Sequence, residues 1–153
     1  MSDAKTEVWF YHLERSTLDQ VLPGLLEKTL QRGWRALVRV NDVNDIDDLD
    51  ENLWTYRPSS FLPHGKAGTE HDPLQPILIT ATGENLNSAQ ALFIVDDAEL
   101  GSTEDFERCF IVFDGQNDQS LNHARKRWAG LMNTNVDLAY WRQDEEGRWA
   151  RAR

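Results

Sequence analysis

The 153-residue sequence is 40% hydrophobic and 27% charged, the proportions of one ordinary globular domain, which disfavours disordered, fibrous and disulfide-stapled architectures. Sixteen basic residues against twenty-six acidic ones give a formal net charge of -10, a field that repels a phosphate backbone unless a local basic patch overrides it, so no direct nucleic-acid binding is expected. No apolar run approaches the roughly 20 residues of a membrane helix, and the opening MSDAKTEVWF lacks the basic-then-apolar layout of a secretory signal. One domain over residues 1–153, a cytoplasmic location and no membrane partner are the resulting expectations.

In chain order, residues 7–13 (EVWFYHL) are rich in β-formers, and Ser16 is a candidate N-cap for a helix carrying Leu18, Val21, Leu22, Leu25, Leu26 and Leu30 at helical spacing. Pro23 lies inside that pattern and either kinks the helix or marks a later start, and Gly33 ends it. Residues 34–40 (WRALVRV) read as a second strand, and Val43, Ile46, Leu49 and Leu53 supply one face of a short amphipathic helix in an acidic stretch. Residues 56–76, rich in Pro, Gly, Ser and His, read as a long loop. Residues 77–80, 91–95 and 109–113 are short apolar runs of the kind buried in parallel sheets, with Cys109, the only cysteine, as a core thiol. A later helix sets Leu121, Ala124, Trp128 and Leu131 on one face with Arg125, Lys126 and Arg127 beside it, and residues 136–149 read as a hairpin turning near Glu146 and Gly147. Strands alternating with helices indicate an α/β layered sheet.

That alternation invites a nucleotide site, and the phosphate motifs fail. In residues 59–67 (SSFLPHGKA), Ser60 stands where a phosphate loop needs its first glycine and Ala67 where the metal-binding hydroxyl belongs, and no GxGxxG follows the first strand. The run from Asp42 to Asp47 opens like a calcium loop but places Ile46 at the fifth position and Asp47 at the turn glycine, which favours a solvated helix face. His64 and His71 have no third ligand at zinc spacing, so no metal or cofactor is expected. Asp96, Asp97 and Asp114 lie at strand ends, where α/β enzymes keep catalytic groups and where aspartates also serve turn chemistry; the second role is preferred, and a hydrolase or transferase is the alternative. Six tryptophans exceed what core filling demands and point to partner surfaces.

Two segments, residues 49–65 (LDENLWTYRPSSFLPHG) and 124–128 (ARKRW), resemble the chi subunit of bacterial DNA polymerase III. The strand holding Phe10-Tyr11-His12-Leu13, the helix holding Leu25-Leu26-Glu27-Lys28 and the strand at Gln75-Pro76-Ile77-Leu78-Ile79 fall in the same order as in that family, so the resemblance covers nearly the whole chain. It implies a single Rossmann-like α/β domain of three layers, with a central mostly parallel sheet, helices on both faces and no nucleotide site. It also implies an accessory, non-catalytic subunit in the clamp-loader part of the replicase. One surface of the family captures the acidic C-terminal tail of the single-stranded-DNA-binding protein; Arg125 and Trp128 occupy the arginine and aromatic positions of that pocket. Leu121 stands where members often carry a further basic residue, with Lys126 or Arg127 as candidates to compensate. Trp54, Phe61, Pro63 and His64 match the positions where the family packs its psi subunit or a repair helicase.

Overall fold

The computed structural model describes residues 5–55 and 63–153. In chain order these form β1 (Thr6–Leu13), α1 (Leu18–Gln31), β2 (Ala36–Arg39), α2 (Asn44–Thr55), β3 (Gly65–Lys66), a 3-10 turn (Asp72–Leu74), β4 (Ile77–Thr80), β5 (Ala91–Ile94), β6 (Arg108–Asp114), α3 (Asp118–Leu131), β7 (Val136–Gln143) and β8 (Trp149–Arg151). The strands make one eight-stranded sheet in the order β3-β4-β2-β5-β6-β1-β7-β8. Every pairing is parallel except β7 with β8.

Parallel strands are buried on both faces, so alternate residues build two cores. On one face Tyr11, Val38, Phe93 and Phe110 pack with Leu22, Leu25 and Leu26 of α1 and Leu49 and Leu53 of α2. On the other, Val8, Phe10, Leu37 and Cys109 pack with Ala124, Leu121 and Trp128 of α3. The α/β layering and the buried Cys109 thiol, pushed up to about 12 by its burial, agree with the sequence. No helix among the described residues is long and apolar enough to cross a membrane.

Local departures have local causes. The N-cap of α1 is Thr17, whose N–H donates to the Gln20 side chain at 2.9 Å; Ser16 instead accepts a bond from Gln143 Nε2 at 3.0 Å. The helix runs unbroken through buried Pro23, because the carbonyl four residues back belongs to exposed Asp19 and can turn to water. It ends as expected at Gly33, φ +85°, with Gly33 N–H to the Leu30 carbonyl and Trp34 N–H to the Thr29 carbonyl. Val43 is 65% exposed and precedes α2, since Asp42 Oδ1 takes the Asn44 N–H at 2.9 Å and opens the helix one residue later. The stretch read as an unbroken loop contains β3, which pairs with β4 at the sheet edge.

Candidate functional site

The α3 site follows from helix phase and strand order. Asn117 caps α3 by accepting the Ser120 N–H at 3.0 Å, and the apolar face pins the helix over β6 and β1, leaving Arg125 exposed one turn before half-buried Trp128. The Trp128 ring meets Phe10 edge-on at 5.3 Å and Tyr140 at 5.7 Å, and the Arg153 guanidinium lies 5.9 Å from its centre. Tyr140 Oη is 2.7 Å from His12 Nδ1. Burial pushes the His12 imidazole down and the Tyr140 hydroxyl up. An indole edge beside the Arg153 guanidinium and one helical turn from exposed Arg125 suits a ligand that carries a carboxylate beside an apolar group.

The three consecutive basic residues do not act together. Lys126 is exposed, whereas Arg127 turns inward and donates to the Ala98 carbonyl at 2.8 Å and to His123 Nε2 at 2.9 Å. Tyr140, His12 and Arg153 complete the surroundings of Trp128 and were not among the sequence candidates. Only the β6-β1-β7 strand order brings them there.

The second group gathers at the opposite sheet edge. Leu49 and Leu53 are buried beneath α2, so Trp54, next along the helix, faces outward and is 50% exposed. Its ring centre lies 4.3 Å from that of His64. His64 is buried, with Nε2 3.2 Å from both the carbonyl and the Oδ1 of Asp50. Lys66 of β3 reaches Asp47 at 3.0 Å and ties this edge to α2, and Pro63 is half-buried beside it. Phe61 lies outside the described residues. From β3 to β7 are six strand steps, about 29 Å at roughly 4.8 Å each, and the two groups sit on opposite faces.

The strand-end aspartates rim a cavity of about 530 Å³ at the carboxyl ends of β1, β5 and β6, together with Glu14 and Ser120. Asp114 Oδ1 accepts the Gln116 N–H at 2.9 Å and Asp97 Oδ2 accepts the Ser120 hydroxyl at 2.7 Å. Burial and the neighbouring Asp45 push the Asp96 carboxyl up to about 6. Asp96 and Asp97 occupy left-handed backbone, φ +56° and +54°. Asp114 makes a turn bond to Gln116, whereas Asp97 ties its strand end to Ser120 of α3, and four carboxylates on this rim repel the phosphates that nucleotide-binding α/β folds place there. Among the described residues no group of three or more His, Cys, Asp or Glu could hold a metal ion.

Residues 5–139 match the family described as DNA polymerase III chi subunit, HolC. The chain is similar to the probable DNA polymerase III subunit chi of Rickettsia prowazekii (strain Madrid E), 28% identical over 103 residues, which are 67% of this chain and 62% of that protein. With the mostly parallel sheet, the helices on both faces and the match over most of its length, the chain belongs to the DNA polymerase III chi subunit family, whose members are non-catalytic accessory subunits of the replicase.

Proposed function

We propose that this chain, as one cytoplasmic domain without a cofactor, links the clamp-loader part of DNA polymerase III to the single-stranded-DNA-binding protein during replication by capturing that protein's acidic C-terminal tail. The observation that carries this reading is the exposed Arg125 one helical turn from the half-buried Trp128 edge, in a family-matched chain of net charge -10. The tail carboxylate pairs with Arg125, and its aromatic side chain packs against Trp128 and Tyr140. Arg153, beside the same indole, supplies the further cation that Leu121 does not, and Lys126 adds to the local field. Arg127, bonded to Ala98 and His123, holds α3 against the sheet and does not reach the tail. Trp54 and Pro63, with the buried His64 ring packed against Trp54, present the separate surface for a psi subunit or a repair helicase, to which the resemblance also assigns Phe61.

A synthetic copy of the tail, titrated at two salt concentrations against wild type, Arg125→Glu and Trp128→Ala, tests the assignment. A charge-assisted hydrogen bond is worth roughly 1.5 to 3 kcal/mol, so losing the arginine weakens binding by about one to two orders of magnitude, and charge reversal by more. Added salt weakens wild type. Unchanged affinity in folded Arg125→Glu removes the site, and no binding by wild type removes the tail-capture function. Trp54→Ala leaves tail affinity intact while weakening the second partner.

A further inference from the structure

A second concave surface lies on the sheet face opposite Trp128, where α1 ends and β1, β7 and β8 run on beyond it. Four of the six tryptophans, Trp9, Trp34, Trp141 and Trp149, line this cavity of about 500 Å³. All four are half-buried. Trp9 packs on Trp141 at 5.3 Å, and Trp149 meets Tyr11 edge-on at 4.8 Å. Because β8 is the last strand of the sheet, nothing in the sheet closes the floor beyond Trp149. Trp141 and Trp149 also lie past the family-matched residues 5–139.

One further observation points to an occupant. One wall is cationic: Lys28 and Arg32 stand one turn apart at the end of α1, and Arg108 enters from β6. The Arg108 guanidinium lies 3.8 Å from the Trp9 ring centre and that of Arg32 lies 4.3 Å from Trp34. Glu7 takes the Arg108 Nε at 2.9 Å, and no carboxylate is among the described residues lining the cavity. Arg108 is thus already paired, and in a chain of net charge -10 the exposed Lys28 and Arg32 beside an aromatic floor select for an anionic, apolar ligand.

The arrangement of those cations separates the two anionic classes. A DNA strand carries a phosphate at every nucleotide and calls for cations that track it along a groove. Here the cations share one wall, and the β7–β8 side presents indoles. A compact cationic wall beside an aromatic floor fits carboxylates flanking one large apolar side chain.

We propose that this face docks an acidic segment of a partner protein, its carboxylates on Lys28 and Arg32 and its apolar side chain against Trp141 and Trp149. The site shares no residue with the α3 site and does not rest on its assignment. The test is an NMR titration of the tryptophan indole N–H signals of the full chain, using as probe an acetylated peptide with one phenylalanine between pairs of aspartates. The peptide shifts the Trp141 and Trp149 signals. A Lys28→Gln/Arg32→Gln variant, altered only at exposed positions, weakens its affinity about tenfold while keeping the wild-type far-ultraviolet spectrum. Arg125→Glu leaves the titration unchanged even if the α3 assignment fails. The proposal is overturned by unmoved Trp141 and Trp149 signals at millimolar peptide, by full affinity in the double glutamine variant, or by loss of the shifts in Arg125→Glu. Tighter binding of a short oligothymidine than of the peptide at the same indoles overturns it in favour of nucleic acid.

Discussion

Arg39 sits at the carboxyl end of β2 in the middle of the sheet and is only 4% exposed, yet among the described residues its guanidinium makes no hydrogen bond to a carboxylate. Its Nε donates to the Thr82 carbonyl at 2.8 Å, one terminal nitrogen to Glu99 and Leu100 at 3.0 and 2.8 Å, and the other to Gly83 at 3.1 Å. One side chain thus ties the turn after β4 to the turn after β5, and fills the polar end of the sheet with the protein's own charge. Arg39→Met keeps the apolar stem and removes the four donors. Gross loss at roughly 1.5 to 3 kcal/mol per charged bond would be severe, but two offsets reduce it. The Thr82 and Gly83 acceptors lie on exposed backbone and regain water, and methionine avoids the desolvation that lowers the Arg39 pKa. The Leu100 bond is fully buried, so its carbonyl stays dry. A net cost of about 3 kcal/mol follows, or a midpoint drop of roughly 6 to 12 °C for a chain of this size. Arg39→Lys, which keeps the charge but not the planar fork, loses about 2 kcal/mol. Urea unfolding of the three proteins at pH 7 measures this, and a loss below about 1 kcal/mol in Arg39→Met would refute the bridging role.

Asp96→Asn is expected to stabilise the protein near pH 8. Because the folded-state carboxyl is raised from 3.8 to about 6, its ionisation opposes folding; the penalty is absent below pH 4 and complete above pH 6. The Asp96 carboxyl is partly desolvated beside Asp45 but the residue as a whole is exposed, so solvent screening reduces the gain to about 1 kcal/mol, and unfolding at pH 3.5 shows none. Gly115→Ala is expected to cost about 1 to 3 kcal/mol and to weaken tail binding, since a Cβ there overlaps the His12 ring and stands 2.8 Å from the Leu13 carbonyl, disturbing the His12–Tyr140 pair. Gly130→Ala, on α3 with no heavy atom within 4 Å of the new Cβ, should instead gain about 0.5 to 1 kcal/mol, and thermal unfolding of both variants checks the opposite signs.

The elements legible in the sequence are those whose signal is local. Residues 77–79, 91–95 and 109–113 are apolar throughout because both faces of a parallel strand are buried, and α3 shows its periodic stripe because one helix face meets the sheet. β3 was illegible for the complementary reason. Gly65 and Lys66 have no strand preference of their own and become a strand only by pairing with β4, which is a tertiary fact. The tryptophan count suggested partner surfaces, but no spacing rule assembles residues 9, 34, 141 and 149, since their neighbourhood depends on β1 lying between β6 and β7.

The same distinction governs the candidate tail site. Arg125 and Trp128 were readable because positions three apart share a helix face, a relation the chain carries locally. The choice between Lys126 and Arg127 was not, because it depends on where the backbone of Ala98 lies when α3 packs on the sheet, and that carbonyl draws Arg127 inward. Tyr140 could be placed on a strand but not beneath Trp128, and Arg153 could be counted as a cation but not set beside the indole, until β7 and β8 were ordered against β1. In the proposed tail site the cation beside the Trp128 indole is Arg153, set there by the strand order, while the adjacent Arg127 is held by Ala98 and His123.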